Sequence, residues 1–454
     1  MLRKKLRHTR RYQEIINAFL KNGFSHFLYR IGLTRKASRE FDGDAVTDMN
    51  NRDIGRKLRQ TFQELGPTFI KLGQLASTQR DSIPKEVATE LEKLQDEAIS
   101  IPYEQVKKLV EEELGDSLEN LFADFSEAPL ATASIGQVHT AHLHTGEELA
   151  IKIQRPAIED SIETDLEILH GVARIMEERI SWARTYNVQE RMDEFTSSLR
   201  DELDYTVEGR NAERVAKQFK NQSTIHIPKI YWDFTTKKVL TMERINGIKI
   251  SKVDLLDQAG YNRKLIAKRL ANAMFRQALE DGFFHGDPHA GNIYILPDNV
   301  ISFIDFGMMG RLGTHMRHHF AALMIYLQQG NSSGIIKTFT DMEILDDETN
   351  VNALQRDLDN LIAKYYEVSL VRISLGEVML EIFAIAYRYQ VKLPADITIL
   401  GKAILTLEDI MHQLDPEFSI MKAVEPYGKN CSKSATIHER WLGMHGINSW
   451  KMQR

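Results

Sequence analysis

The sequence predicts an α+β fold in which a helical N-terminal segment precedes a small lobe with strands and a larger, helix-rich lobe. Apolar residues recur three and four positions apart in segments such as 86–94, as they do on one face of a helix. Residues 150–153 are short and β-branched, which is typical of an antiparallel strand. Two further strands are predicted at 292–296 and 300–304, because a Pro-Asp-Asn turn separates them.

The same patterns give the order of the elements. Helices are predicted for 1 to about 125 and for 156–220, strands near 150 and over 225–250 with a turn at 235–238, and mostly helix beyond about 255, interrupted by the hairpin. We therefore predict four segments: a helical extension at 1–125, a small lobe with inserted helices at 126–250, a helix-rich large lobe at 251–428 and a polar tail at 429–454.

Composition limits the classes of function that the chain can have. Its 454 residues, 43% hydrophobic and 27% charged, suffice for two or three globular domains. A net charge of -6 argues against a general nucleic-acid binder, since such proteins usually carry a basic domain or stripe. With Cys431 as its one cysteine, the chain has neither an intramolecular disulfide nor a cysteine-based zinc site, which indicates a reducing compartment.

The N-terminal run 1–11 is strongly basic but lacks the apolar core of a secretory signal. Two interpretations stay open, a solvated tail or contact with anionic lipid, where each basic residue contributes about 1 kcal/mol. The longest apolar windows, such as 320–327, are too short to cross a bilayer and predict buried helix. We expect a cytoplasmic protein, with peripheral attachment at the inner face of the membrane as an open alternative.

The most informative run is His-Gly-Asp-Pro-His-Ala-Gly-Asn at 285–292, followed by Asp-Phe-Gly at 305–307. In kinase-type sites the first aspartate takes or positions the proton of the nucleophile, while the asparagine and the second aspartate hold Mg²⁺ on the nucleotide phosphates. Asp287, Asn292 and Asp305 match these roles in order and spacing, and the predicted hairpin would bring the two metal-ligand positions together. The motifs predict a two-lobed protein-kinase-like fold that uses ATP and Mg²⁺.

Two histidines in this run raise the question of a transition-metal site. His285 and His289 are flanked by Asp and Asn at kinase spacing, and such oxygen ligands suit Mg²⁺. We therefore expect His285 to be structural and hydrogen-bonded.

A kinase glycine-rich loop follows G-x-G-x-x-G-x-V, and residues 131–138 read Ala-Thr-Ala-Ser-Ile-Gly-Gln-Val. Alanine disfavours the positive φ angles that glycine allows, so we expect a stiffer loop with an altered grip on phosphate. Lys152 corresponds to the strand lysine that contacts the α- and β-phosphates. A helix glutamate normally pairs with that lysine, and spacing alone leaves both Glu163 and Glu208 open.

Together these motifs resemble the UbiB (AarF-related) atypical protein-kinase-like family. Its KxGQ motif appears at 71–74, its alanine-rich loop at 131–136, its ExD motif at 202–204, and its HxDxHxGN and DFG motifs at 285–292 and 305–307. The resemblance implies a helical N-terminal KxGQ extension to the kinase-like fold.

The resemblance also assigns roles to single residues. It implies that Glu208 is the partner of Lys152, and that Lys71 lies near Glu202, Asp204 or the nucleotide phosphates. The catalytic candidates are Asp287, Lys152, Lys71, Glu202 and Asp204, and the metal candidates are Asn292 and Asp305. The nucleotide-binding candidates are Ala131, Ala133, Ser134, Gly136, Val138, Lys152, Glu208, Met242 and Glu243.

The resemblance implies an ATPase or a small-molecule or lipid kinase that supports isoprenoid quinone biosynthesis or lipid metabolism. Gly286 replaces the arginine of H-R-D and no A-P-E follows Gly307, which argues against regulated phosphorylation of proteins. Expected partners are the nucleotide, a membrane surface or quinone precursor and quinone-biosynthesis proteins, with no nucleic acid. Family members often end in hydrophobic helices, whereas 429–454 is polar.

Two other functions stay open. The first is a non-catalytic, nucleotide-gated scaffold for biosynthetic partners. The second is a small-molecule phosphotransferase of the aminoglycoside or choline kinase type, whose catalytic loop also reads H-G-D-x-x-x-x-N. The KxGQ motif and the alanine-rich loop are not expected in the second class.

Overall fold

The structure is a computed structural model that describes residues 2–34, 50–78, 83–94, 100–346, 348–366, 374–391, 393–424 and 426–427, without the side chains of 2–7, 78 and 366. The chain divides into two compact units. Unit 1 comprises Met1–Glu213 and Pro228–Ile245, and unit 2 comprises Arg214–Ile227 and Asn246–Arg454. The predicted tail at 429–454 lies outside the described residues, and the predicted domain limits stay predictions.

Unit 1 begins with the helices that the sequence predicts. They are α1 (Leu2–Lys21), α2 (Ser25–Arg30), α3 (Asn51–Leu65), α4 (Pro67–Thr78), α5 (Lys85–Leu91), α6 (Tyr103–Leu114) and α7 (Leu118–Leu121). The side chain of Asn50 caps α3 by accepting the N–H of Asp53. Gly66 then ends α3 with a φ of 91°, and Pro67 starts α4, a position where its missing N–H has no consequence.

The sheet of unit 1 is antiparallel. Its strands are β1 (Asp124–Phe125), β2 (Ala131–Thr132), β3 (Gly136–His142), β4 (Glu148–Gln154) and β6 (Val239–Glu243). The strand between β4 and β6 in the chain, β5 (Ile225–His226), belongs to unit 2. The order is β1-β3-β4-β6, with β2 paired to β3 as well. The predicted strand near residue 150 is therefore confirmed as β4.

The alternation along β4 decides which side chains enter the core. Leu149, Ile151 and Ile153 are fully buried in a cluster with Val106 and Phe122. Because successive side chains of a strand point to opposite faces, Lys152 lies on the other face of the sheet. The hydrophobic pattern of one strand thus turns its lysine away from the core.

Four helices complete the described part of unit 1. They are α8 (Ile158–Arg179), α9 (Ser181–Thr185), α10 (Val188–Leu203) and α11 (Tyr205–Gln218), whose last residues, from Arg214, belong to unit 2. They confirm the helices predicted for 156–220. Ile162 and Leu166 of α8 pack with Phe195 and Leu199 of α10 in one buried cluster. This packing places α8 beside α10.

Unit 2 contains the predicted hairpin. Strands β7 (Ile248–Lys249), β9 (Ile293–Leu296) and β10 (Val300–Phe303) join β5 in a sheet of order β5-β10-β9-β7. β9 and β10 are antiparallel around a tight turn, as predicted. Of the predicted strands over 225–250, β5, β6 and β7 are present, whereas Trp232–Phe234 forms a 3₁₀ turn.

Two strands of unit 2 were not predicted. β8 (Phe283–His285) and β11 (Met309–Arg311) pair antiparallel on either side of the hairpin. Unit 2 also contains a π-helical turn at Arg276–Asp281 and two 3₁₀ turns at Ala290–Asn292 and Pro297–Asn299. Its described helices are α12 (Val253–Gln258), α13 (Arg263–Phe275), α14 (Thr314–Gln328), α15 (Ser332–Asp341), α16 (Val351–Tyr366), α17 (Leu375–Arg388) and α18 (Ala395–Leu414).

The apolar window at 320–327 lies within α14, where Phe320, Ala321 and Met324 are buried, as predicted. In the part of the chain that the structure describes, no helix combines the length and the apolar character that a bilayer crossing requires.

Candidate active site

The strand lysine of unit 1 forms an ion pair with a helix glutamate. Lys152 Nζ lies 2.8 Å from Glu208 Oε2 and 5.1 Å from the centre of the Tyr205 ring. Glu208 is almost fully buried in the first turn of α11, while Lys152 keeps partial exposure. The other candidate, Glu163, lies on α8 and pairs with Arg200. The pairing of Lys152 with Glu208 that the resemblance implied is therefore present.

The alanine-rich loop connects β2 and β3 and is in register with Lys152. Ala131 pairs with Val138 across β2 and β3, and Val138 pairs with Lys152 across β3 and β4. The N–H of Ala133 donates to the carbonyl of Gly136 at 2.8 Å, which closes the turn. The register thus holds the loop over the strand that carries the lysine.

Gly136 is a glycine for a steric reason. A Cβ at this position would come within 2.4 Å of both the Ile153 carbonyl oxygen and the Tyr205 hydroxyl. Tyr205 is fully buried, and burial raises the pKa of its phenol. The hydroxyl of the neighbouring Ser134 is also buried. The loop therefore packs tightly onto the residue that begins α11.

Met242 and Glu243 lie at the end of β6. Met242 pairs with Ala150 of β4, and Glu243 pairs with Leu149. Glu243 also accepts the N–H of Lys229 through Oε2 at 3.1 Å. The structure therefore places both residues in the sheet that carries Lys152, and their nucleotide-binding role stays a prediction.

The KxGQ motif lies on α4. Lys71 Nζ is 2.6 Å from Glu202 Oε1 on α10, which is one of the contacts that the resemblance implied. Gly73 permits close packing, because a Cβ there would lie 2.3 Å from Leu94 Cδ1. Gln74 donates through Nε2 to the Leu94 carbonyl at 3.3 Å. The glycine and the glutamine of the motif thus fix α4, while the lysine contacts the ExD glutamate.

The aspartate of the ExD motif caps a helix. Asp204 Oδ1 accepts the backbone N–H of Thr206 at 3.0 Å and its hydroxyl at 2.5 Å, at the start of α11. Glu208 lies in the first turn of that helix. Asp204 therefore orients the helix that carries the partner of Lys152, and its predicted catalytic role stays a prediction.

The second E-x-D sequence, at Glu163 and Asp165 of α8, has a structural role. Glu163 forms a bidentate ion pair with Arg200 at 2.8 and 2.9 Å, two residues before Glu202. Asp165 is buried and accepts the hydroxyl of Thr68 at 2.8 Å, three residues before Lys71. These two carboxylates of α8 therefore contact both helices that carry the Lys71–Glu202 pair.

The catalytic-loop motif of unit 2 follows β8. The N–H of Asp287 donates to Nδ1 of His285 at 3.2 Å, which leaves the ring proton on Nε2. Burial lowers the pKa of His285, although the charges of Asp305 and Asp287 oppose this shift. The ring also packs against Phe303 and Phe306. The predicted hydrogen bonding of His285 is confirmed, and its structural role stays a prediction.

The two metal-ligand candidates lie close together in space. Asn292 immediately precedes β9, and its carbonyl accepts the N–H of Ile304, the residue before Asp305. Asp305 accepts the N–H of Gly307 through Oδ1 at 2.9 Å. An amide and a carboxylate oxygen are hard ligands that suit Mg²⁺, which takes few protein ligands and completes its sphere with phosphates and water. These residues fit the ion.

One residue beside the catalytic loop was not predicted. Lys402 Nζ of α18 lies 3.6 Å from Asp287 Oδ1. No local pattern in the sequence indicates this contact, because in the described part of the chain α14 to α17 separate α18 from the motifs.

Comparison with known proteins identifies the family. Residues 93–339 match the description "ABC1 atypical kinase-like domain", and residues 358–419 match "UbiB helical domain". The chain belongs to the ABC1/UbiB atypical kinase-like family. The recognition made from the motifs and the predicted kinase-like fold are thereby confirmed.

Several family members are similar over most of this chain. The Arabidopsis thaliana chloroplast protein named ACTIVITY OF BC1 COMPLEX KINASE 7 is 36% identical over 83% of this chain and 54% of its own length. A protein of Marinobacter nauticus named "probable protein kinase UbiB" is 34% identical over 82% of this chain and 69% of its own. The chain spans only 54% and 63% of the first two relatives.

A solved structure has the same fold. The Mycobacterium tuberculosis protein Rv3197, determined with erythromycin, aligns with a TM-score of 0.58 at 24% identity. The alignment covers 84% of this chain and 97% of the other. At this identity the likeness concerns the fold.

Proposed function

We propose that the chain binds ATP with Mg²⁺ and transfers the terminal phosphoryl group to water or to a small acceptor, in support of isoprenoid quinone biosynthesis or lipid metabolism. The observation that carries this proposal is the 2.8 Å ion pair between Lys152 and Glu208. Kinase-type sites require this pair in order to hold the lysine on the nucleotide phosphates. A fold that had lost nucleotide chemistry would have no need to bury a glutamate against a strand lysine.

Each candidate residue has a role in this proposal. Lys152 contacts the α- and β-phosphates, while the alanine-rich loop covers them with its backbone. Asn292 and Asp305 hold Mg²⁺, which supplies charge neutralisation on the phosphates when bound. Asp287 accepts or positions the proton of the attacking hydroxyl group. His285, kept neutral by burial, holds the backbone N–H of Asp287 and so fixes the catalytic loop.

Protein phosphorylation is not part of the proposal, although relatives are named probable protein kinases. The missing arginine at Gly286 and the absence of A-P-E remove the usual means of ordering a peptide-binding segment. An assay with generic protein substrates and labelled ATP should therefore show no transfer above the level of a catalytically dead variant.

The test of ATP turnover uses matched pairs of variants. Asp305→Asn should abolish Mg²⁺-dependent phosphate release, whereas Asp298→Asn makes the same change at the exposed turn of the same hairpin and should not. Glu208→Gln should lower turnover strongly, whereas Glu163→Gln, on a glutamate that pairs with Arg200, should leave it near the wild-type value.

The same assay separates catalysis from scaffolding. A nucleotide-gated scaffold would bind ATP but release no phosphate above the Asp305→Asn background. Turnover in the wild-type chain that Asp305→Asn removes would exclude that alternative.

The acceptor is tested by stimulation. Turnover should rise when anionic liposomes or a phenolic quinone precursor are added, with neutral liposomes and a non-phenolic isoprenoid as controls. A response to liposomes alone would indicate peripheral contact with lipid. An unchanged rate with every addition would contradict the lipid-linked part of the proposal and leave ATP hydrolysis standing.

The alanine-rich loop provides a further test. Ala133→Gly should loosen the turn that Ala133 closes onto Gly136, and so change the nucleotide preference or the rate. Unchanged affinities for ATP and ADP in this variant would count against the assigned role of the loop.

A further inference from the structure

Helix α18 lies directly against the catalytic loop of unit 2. A Cβ at Gly286 would come within 2.9 Å of Ile399 Cγ2 of α18 and 3.0 Å of Met308 Cγ. The missing side chain at 286 is therefore what allows Ile399 to approach the backbone next to Asp287. The arginine that occupies this position in H-R-D sequences would require the side chains of Ile399 and Met308 to shift.

This approach brings a cation to the catalytic aspartate. Lys402 follows Ile399 by one helical turn, so both face the loop, and its Nζ lies 3.6 Å from Asp287 Oδ1. The side chains of Lys402 and Asp287 are 22% and 34% exposed, which leaves both open to a ligand. Lys402 also lies within the residues that match the UbiB helical domain, outside the match to the kinase-like domain.

The helix is held independently of this contact. At its first turn Asp396 accepts the N–H of Arg311 in β11 at 3.1 Å, and Ile399 packs on Gly286. At 3.6 Å the Lys402–Asp287 pair is longer than a charge-assisted hydrogen bond, which is about 2.7–2.9 Å. A pair this loose and this exposed contributes little to stability. Anchoring α18 is thus a poor explanation for a lysine at this position.

We propose that Lys402 is a further catalytic residue, whose ammonium group contacts the terminal phosphate of ATP beside Asp287. This inference rests on the proposed function. Phosphoryl transfer places negative charge on the equatorial oxygens of the moving group, and a fixed cation stabilises that charge more in the transition state than in the ground state.

The reaction moves the terminal phosphoryl group of ATP to the attacking oxygen. The attacking oxygen of water or of an acceptor hydroxyl forms a bond to the γ-phosphorus, and the bond from that phosphorus to the β–γ bridging oxygen breaks. The proton of the attacking group goes to Asp287, and ADP leaves with the electron pair on its terminal oxygen. Lys402 stays protonated throughout and exchanges no proton.

The test compares Lys402→Met, which keeps the length of the side chain and removes its charge, with Lys402→Arg, which keeps the charge. Lys264→Met is the matched control, since Lys264 pairs with Glu417 at 3.6 Å just beyond the far end of α18. We expect Lys402→Met to lower kcat about 10²–10³-fold, as the loss of one transition-state donor does. Lys402→Arg should recover most of that loss, and Lys264→Met should match the wild type.

Two measurements distinguish catalysis from a structural role. The ratio of the ATP affinity to the ADP affinity should fall in Lys402→Met, because only ATP carries the phosphate that Lys402 contacts. This ratio is measured by binding and does not depend on turnover. The thermal midpoints of Lys402→Met and Lys264→Met should agree. A fall in kcat that is matched by a lower midpoint, with an unchanged ATP-to-ADP ratio, would make Lys402 a structural tether.

Failure of this inference differs from failure of the proposed function. If the wild-type chain neither binds nor turns over ATP, the proposed function falls and this inference falls with it. If the wild type turns over ATP, Asp305→Asn abolishes turnover and Lys402→Met matches the wild type in both kcat and affinity ratio, only the role of Lys402 is overturned.

Discussion

The sharpest stability prediction concerns Asp165 of α8. Its carboxylate accepts two hydrogen bonds from Arg11 of α1, at 2.7 and 3.0 Å, and one from the hydroxyl of Thr68 in α4. Arg11 also donates to the Leu65 carbonyl at 2.6 Å, at the end of α3. The side chain of Asp165 is only 2% exposed. One buried carboxylate thus connects α1, α4 and α8.

The magnitude follows from this burial. Removing one partner of a buried ion pair costs about 3–5 kcal/mol, because the other charge stays buried without compensation. The side chain of Arg11 keeps 21% exposure, which places the expected loss for Asp165→Asn at the lower end, about 3 kcal/mol. Burial alone would lower the pKa of Arg11, and in the wild-type chain the hydrogen bonds and charges of Asp165 and Glu14 raise it. Arg11 stays charged in the variant because a guanidinium group does not lose its proton in proteins.

Glu163 provides the control, because it lies two residues away on the same helix. Its partner Arg200 is 57% exposed, and exposed pairs contribute about 0.2–1 kcal/mol. Glu163→Gln should therefore destabilise unit 1 by less than about 1 kcal/mol. Both variants remove one negative charge from the same helix, but their effects on the free energy of unfolding should differ severalfold.

Hydrogen–deuterium exchange, read peptide by peptide, is the appropriate measurement because it does not require the two units to unfold together. A loss of about 3 kcal/mol corresponds to roughly a hundredfold rise in the opening constant. Asp165→Asn should show this rise at the start of α4 and in α1. Equal, small changes in Asp165→Asn and Glu163→Gln would refute the reasoning, since burial would then have had no effect.

Two further predictions concern the sheet of unit 1. Gly136→Ala should lower the free energy of unfolding by about 1–3 kcal/mol in urea titrations, because the added Cβ meets the Ile153 carbonyl and the Tyr205 hydroxyl, and an unchanged midpoint would contradict the close approach. His139 is fully buried, Gln137 donates to its Nε2, and burial lowers its pKa. Since the unfolded chain then binds a proton first, stability should fall as the pH drops below about 6.5, and His139→Leu should lose that part of the slope.

The elements that could be predicted from the sequence are those with local signals. The hairpin at β9 and β10 carries its turn residues between two β-branched runs, so its register follows from a few adjacent positions. The strand β4 likewise shows its alternation directly, which is why Lys152 could be placed on a strand. In both cases the residues that decide the structure lie within one element.

The elements that could not be predicted are those whose pairing depends on distant segments. β8 and β11 have three residues each, too few for a period to show, and they pair only because the hairpin between them brings them together. The choice between Glu163 and Glu208 was open for the same reason. Glu163 is closer to Lys152 along the chain, but α8 directs it to Arg200, whereas α11 presents Glu208 to β4.

The glycine at position 286 can be interpreted in two ways. From the sequence, it is the position where an arginine of H-R-D has been lost, and it argues against activation by phosphorylation. In the structure, the same glycine is the surface on which Ile399 packs, and that packing brings Lys402 to Asp287. An arginine at 286 would restore the tripeptide, but its Cβ would meet the side chains of Ile399 and Met308, which would have to shift. The contacts of Ile399 and Lys402 thus place α18 of the helical domain beside the catalytic loop of unit 2.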